Sequence, residues 1–178
     1  MEDSMVLDKI MPKAFIPTND WDSHRPLLWL ALQDTIGTVY EFGCGRGSTR
    51  QMYNYCRNHD RVFFSFENNS EYAKQYNETI NVEAYNVTIH RAGIVFIDCA
   101  PAELRAPLIE KYADVADVIV VHDSEVSAGY VYGMGKILNT FKYRVDLQGG
   151  GMPSTTAVSN VFDVTRWRGK KICNQEIV

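Results

Sequence analysis

Apolar residues in this chain fall into short, nearly continuous runs, at 38–42, 61–66, 94–98 and 117–121. Runs of this length, apolar at consecutive rather than alternate positions, predict strands buried on both faces of a parallel sheet. Between the runs the apolar positions spread to helical spacing. Leu27, Leu28, Leu30, Ala31 and Leu32 precede the first run, and Met52, Tyr55 and Cys56 follow it. This predicts helices over about 21–37 and 48–58, one that follows Ser70 to about 77, one into which 99–105 turns and which continues to about 112, and a fourth-quarter helix over 129–141 that contains three glycines. Asp22 or Ser23 is placed to cap the first of them, and Pro26 suits a first turn. Strands alternating with helices indicate an α/β domain.

Two further runs, 142–148 and 155–164, flank Gly149-Gly150-Gly151-Met152-Pro153 and predict a closing antiparallel hairpin. Residues 1–20 are polar and carry Pro12 and Pro17, so they read as an arm with a short helix over 5–11. A single domain then covers 21–167, and the basic segment 168–178 reads as a peripheral tail.

One region resists the alternating pattern. Asn86 to His90 alternates like a third strand, yet only Arg91-Ala92-Gly93 separates it from the run at 94–98. Three residues span ~10 Å at most. A crossover between parallel strands takes a dozen or more. The third strand and its helix therefore cannot both be present in ordinary form.

The chain has 178 residues, 46% hydrophobic and 22% charged, with a net charge of −4. That is enough for a core without disulfides. No basic run stands out, which argues against a nucleic-acid partner. The four cysteines include no C-x-x-C pair, so a structural zinc site is not expected; Cys44 and Cys99 read as small buried thiols. No apolar run approaches the ~20 residues of a membrane span. Met1-Glu2-Asp3-Ser4 lacks the basic start of a signal peptide, which points to a cytoplasmic protein.

The candidate chemistry begins at Glu41-Phe42-Gly43-Cys44-Gly45-Arg46-Gly47-Ser48-Thr49. It lies where the first strand should turn into a helix. Glycine admits positive φ and lets a ligand approach the backbone. Ser48 or Thr49 is placed to cap the helix, whose free N–H groups would face the same ligand. A dinucleotide site would require G-x-G-x-x-G, and the third glycine position here is Ser48. At the end of the second strand stands Glu67, followed by Asn68. An acid at that place accepts hydrogen bonds from ribose hydroxyls, or simply caps the next helix. Asp98 ends the next strand and His122-Asp123-Ser124 the one after. Ligands bind beyond the carboxyl ends of the strands in open α/β sheets, so all these groups share one rim.

E-x-G-x-G-x-G resembles motif I of the class I S-adenosylmethionine (SAM)-dependent methyltransferases. The longer series E-x-G-x-G-x-G-S-T, F-E-N-N, I-D-x-A-P, R and V-H-D resembles a small Rossmann-like subgroup of them, over about 21–164. The resemblance implies a three-layer α/β sandwich, its mostly parallel sheet closed by the C-terminal hairpin and reduced at the third strand. It implies SAM bound by Glu41, Gly43, Cys44, Gly45, Gly47, Ser48, Glu67, Asn68 and Asp98, and methyl transfer to a small-molecule acceptor. With little room for a recognition domain, a cap from another subunit of a homo-oligomer is the other way to hold an acceptor. The reduced region 78–93 lies where the family holds adenine.

Two mechanisms fit the far end of the rim. In one, Asp98 and Asp123 bind an Mg²⁺-type ion that acidifies an acceptor hydroxyl. These acids resemble those of the metal-dependent catechol-type O-methyltransferases, except that Ser124 stands where an asparagine ligand is expected. In the other, Asp98 holds the SAM amino group and His122 or Asp123 is the general base. Trp21, His24, Tyr130 and Tyr132 are candidates to line or cover the site, or to serve only packing. A SAM-cleaving enzyme and a non-catalytic SAM-fold protein are the alternative functions.

Overall fold

A computed structural model describes residues 11–172 and 174–178, with the side chains of 128–130 left aside. The expected helix over 5–11 falls outside these residues except for Met11, as do Cys173 and the Tyr130 side chain. The helices are α1 Arg25–Asp34, α2 Thr49–Asn58, α3 Ser70–Ala73, α4 Arg105–Tyr112, α5 Val126–Val131 and α6 Met134–Leu138. The strands are β1 Val39–Phe42, β2 Phe63–Glu67, β3 Thr79–Asn81, β4 Ala92–Ile97, β5 Ala116–His122, β6 Tyr143–Gly149, β7 Thr155–Ser159, β8 Lys171–Ile172 and β9 Gln175–Ile177. Among the described residues no helix is long and apolar enough to cross a membrane.

All nine strands form one sheet in the order β3-β2-β1-β4-β5-β7-β6-β9-β8. The first five in that order pair in parallel. β7 and every strand beyond it pair antiparallel. The chain moves outward from β1 to β2 and β3, then returns to place β4 on the other side of β1. The strand order therefore reverses between β1 and β4, which opens a crevice at their carboxyl ends.

Successive side chains of a strand point to opposite faces. Ile94 and Phe96 of β4 pack with Leu27 and Leu30 of α1 and with Met52 and Cys56 of α2. Val95 and Ile97 pack on the other face with Leu108, Ile109 and Tyr112 of α4. All six residues of β4 are buried, as its continuous apolar run requires.

The region that resisted the sequence pattern is resolved by a different stretch. Residues 86–90 are not a strand. The third parallel strand is β3, three residues that pair with Ser65, Phe66 and Glu67 at the sheet edge. Residues 82–91 then return to the centre without a helix. Tyr85 and Ile89 are buried in the α4-side core, and the Tyr112 hydroxyl donates to the Val87 carbonyl at 2.7 Å. This strap covers less of the sheet than a helix would. Phe64 is 37% exposed and Phe63 only half-buried, so β2 is not buried on both faces as its apolar run suggested.

Two other expectations change. Gly133, at φ 71°, divides the helix expected over 129–141 into α5 and α6. The segment after Trp167, expected to be peripheral, contributes β8 and β9. β9 pairs with β6, and Ile172 and Ile177 are buried in the α1-side core.

Candidate functional site

A cavity of about 1250 Å³ lies over the carboxyl ends of β1, β2, β4 and β5. Its walls come from the turn before α1, the glycine loop, and the residues that follow β2, β4 and β5. Cys44, Gly45, Gly47, Ser48, Glu67, Asn68, Asp98, His122 and Asp123 all line it, as does Trp21. Glu41, Gly43 and Tyr132 do not. Tyr132 instead lies beneath the Arg105 guanidinium, 5.6 Å from its ring centroid.

The three glycines answer to three different constraints. Gly43 has φ 91°, and a Cβ there would overlap the Asp98 carbonyl and come within 2.6 Å of Cys99 Cα. It lets β1 and β4 stay close at the switch point. A Cβ on Gly47 would stand 2.5 Å from the Trp21 carbonyl and 2.9 Å from the His24 ring. That glycine admits the segment before α1. Only Gly45 faces open space, with Ser48 Oγ the nearest group at 3.8 Å. Arg25 ties the segment to the loop, its Nε donating to the Gly47 carbonyl at 2.8 Å while its guanidinium pairs with Asp22.

Glu41 lies beneath the loop, fully buried. It accepts hydrogen bonds from Ser48 and, at 2.6 Å, from Ser65. Burial raises its pKa to about 7 despite those bonds. Ser48 is therefore turned toward Glu41 and does not cap α2; Thr49 Oγ1 accepts from the Gly45 N–H at 2.8 Å. Glu41, expected to touch the ligand, instead braces the glycine loop from beneath. Glu67 accepts from the Cys44 N–H at 3.2 Å through one oxygen and from the Asn69 N–H at 2.9 Å through the other. It links the glycine loop to the loop after β2 and still borders the cavity. Asn68 donates to the Ala100 carbonyl at 3.0 Å. Cys44 and Cys99 are buried thiols, as expected, each with its pKa pushed up to about 12, first by burial.

The far end of the rim is organised by Arg105, the arginine of the motif series, to which the sequence assigned no role. Its guanidinium donates to Asp98 Oδ1 at 2.9 Å and to Asp123 Oδ2 at 3.1 Å. It also donates to the carbonyls of Cys99 at 3.1 Å and His122 at 2.9 Å. The two acids expected to share an Mg²⁺-type ion instead share this cation. Ser124, at the place of a third oxygen ligand, is buried, and its hydroxyl is hydrogen-bonded to that of Thr156 at 2.7 Å. Asp123 holds a left-handed conformation at φ 51°, uncommon for a residue other than glycine.

His122 stands between Ser23, whose Oγ is 2.9 Å from Nε2, and Asp98, whose Oδ2 is 3.3 Å from Nδ1. Burial opposes its charge, but Asp98 and then Asp123 outweigh burial and raise its pKa. Burial likewise acts to raise the Asp98 pKa, and the facing His122 outweighs it, so the carboxylate form is favoured. His24 lies against His122 with ring centroids 4.7 Å apart. Burial, reinforced by His122, lowers its pKa to about 3, so its ring is neutral. Ser23, a candidate helix cap by sequence, reaches His122 across the fold instead. A Ser-His pair directly before a helix is the only local signal, and it does not name its partner.

No protein-family model matches this sequence, and no curated protein matches it. Among solved structures, the chain is similar to the Podospora anserina methyltransferase PaMTH1, determined with S-adenosylhomocysteine (SAH) bound. The match has a TM-score of 0.51 at 15% identity and covers 84% of this chain and 88% of that one. At that identity the likeness is one of backbone architecture: the chain has a mixed α/β, methyltransferase-like fold.

Proposed function

We propose that the chain binds SAM in the cavity and transfers its methyl group to a small-molecule acceptor. The observation that carries this reading is the position of the cavity, over the switch point, with the open face of Gly45 and the carboxylate of Glu67 on adjoining walls. The likeness in fold to a methyltransferase that binds SAH supports it. The amino-acid end of SAM lies over loop 43–47, and its ribose hydroxyls meet the remaining lone pairs of Glu67. Methyl transfer from a sulfonium needs chiefly positioning, because the leaving group is already activated.

Asp98 and Asp123 form the reacting end with His122. His122 is held between Ser23 and Asp98, so its part is to orient Asp98. Asp123, whose side chain is 31% exposed, is the group placed to receive a proton from the acceptor. Calorimetric titration with SAM and SAH, with and without Mg²⁺, tests the reading. Binding of both is the expected result. Failure of both to bind a folded chain would overturn it and favour a non-catalytic protein on this fold. Loss of SAM without any acceptor would favour a SAM-cleaving enzyme.

A further inference from the structure

His24 is almost completely buried, and among the described residues neither ring nitrogen has a hydrogen-bond partner. A buried unpaired polar group needs a physical explanation. Its ring is confined by Phe96, 4.8 Å away between centroids, by His122, and by the backbone at Gly47. It lines the cavity with Asp98 and His122.

Ser23 Oγ lies 2.9 Å from His122 Nε2 and 3.1 Å from the Pro153 carbonyl. Nδ1 of His122 faces Asp98 Oδ2 at 3.3 Å and Asp123 Oδ1 at 3.5 Å. When the Ser23 proton goes to Pro153, Ser23 accepts from Nε2–H and Nδ1 is free to hold a cation against the carboxylates. A proton on Nδ1 fills that place for His122 but leaves His24 unpaired.

We propose that His24, Asp98 and His122 bind a divalent transition-metal ion of the Zn²⁺, Mn²⁺ or Fe²⁺ class. One ligand atom from each of the three lies within 4.8 Å of the others. Metal–ligand bonds of about 2.0–2.2 Å need a closer set, which a shift on the order of 1 Å in the Asp98 carboxylate or the His24 ring provides. Two imidazoles and one carboxylate suit borderline metals, whereas Mg²⁺ takes oxygen ligands. The site differs from the Asp98–Asp123 oxygen pair expected from sequence, which Arg105 bridges. Arg105 holds Asp98 Oδ1 and leaves Oδ2 for the metal, and Ser23 orients His122 from behind. Three protein ligands bordering a cavity leave a coordination position for an exogenous group, as catalytic sites do.

The proposal does not rest on SAM binding, and its test contains no SAM. The untagged full chain is stripped with a chelator and titrated with Zn²⁺ by calorimetry and with Co²⁺ by visible absorption. We expect one equivalent per chain and ligand-field bands from Co²⁺. His24→Gln should weaken binding at least about ten-fold. The remaining histidines, His59 and His90, are exposed, and the double variant His59→Gln/His90→Gln should bind like the parent. Zn²⁺ should raise the Tm of the parent but not of His24→Gln. Absence of stoichiometric binding by the parent, or full binding by a folded His24→Gln, overturns the proposal. If His24→Gln does not fold, ring-nitrogen NMR of the parent decides. Metal-induced shifts at His24 and His122 support the site, and shifts confined to His59 and His90 overturn it.

Discussion

The two ends of the cavity hold their acids in opposite ways. At the glycine-loop end, Glu41 and Glu67 accept hydrogen bonds from hydroxyls and backbone N–H groups, and among the described residues no ion pair reaches either. At the other end Asp98 and Asp123 are held by the Arg105 cation and His122. Neutral donors brace a loop without fixing charge, so the first end suits hydroxyls and a backbone-hugging ligand. Paired charges maintain a field inside the cavity, which suits an ionic group or a proton transfer.

The largest test of that contrast is Arg105→Met. It should leave Asp98 and Asp123 without their cation and cost about 3 kcal/mol or more in chemical denaturation. A loss well under 1 kcal/mol would mean that solvent, not Arg105, supports the two acids.

Glu41 gives the next effect, through pH. Its pKa is about 7 in the folded chain against 4.5 as the ordinary value. As pH rises from about 4.5 to 7, the unfolded chain releases this proton while the folded one retains it, so stability falls; above 7 the loss is complete. The contribution is about 3 kcal/mol. Glu41→Gln should flatten the stability profile across that window, and an unchanged profile would place the titration elsewhere.

The glycines separate packing from binding. Gly47→Val drives a side chain into the Trp21 carbonyl and the His24 ring, so it should lower Tm and loosen the turn before α1. A Cβ on Gly45 meets, among the described residues, no atom closer than Ser48 Oγ at 3.8 Å, so Gly45→Val extends toward the cavity. It should change stability by less than about 1 kcal/mol yet abolish SAM binding in calorimetry. Binding at parental affinity by Gly45→Val would move the ligand away from the loop. Glu67→Ala is a less clean probe than the strand-end position suggested, since it also strands the buried Cys44 N–H.

The smallest expected change in stability belongs to Asp123→Asn, because asparagine tolerates the left-handed backbone and still accepts from Arg105. SAM affinity should stay within about two-fold while turnover disappears. A large loss of affinity would assign Asp123 to cofactor binding.

The apolar runs were legible as strands because burial on both faces leaves a continuous pattern, and β1, β4 and β5 match it closely. The run ending at Glu67 overstated burial, since coverage depends on what crosses the sheet, and residues 82–91 cross it as a strap. β3 was not legible at all. Three residues carry no period, and Thr79–Asn81 becomes a strand only because Ser65, Phe66 and Glu67 offer an open edge.

By itself the sequence determined the order of strands and helices, the glycine turn and the acids at the strand ends, because each is a local pattern of side-chain type and spacing. Only the tertiary structure decided the direction of those groups. It turned Glu41 inward to Ser48 and Ser65, brought Arg105 between two acids, and set Ser23 and His24 against His122 from across the chain. Hydrogen-bond partners separated by about a hundred residues are chosen by packing, and packing leaves no local signature.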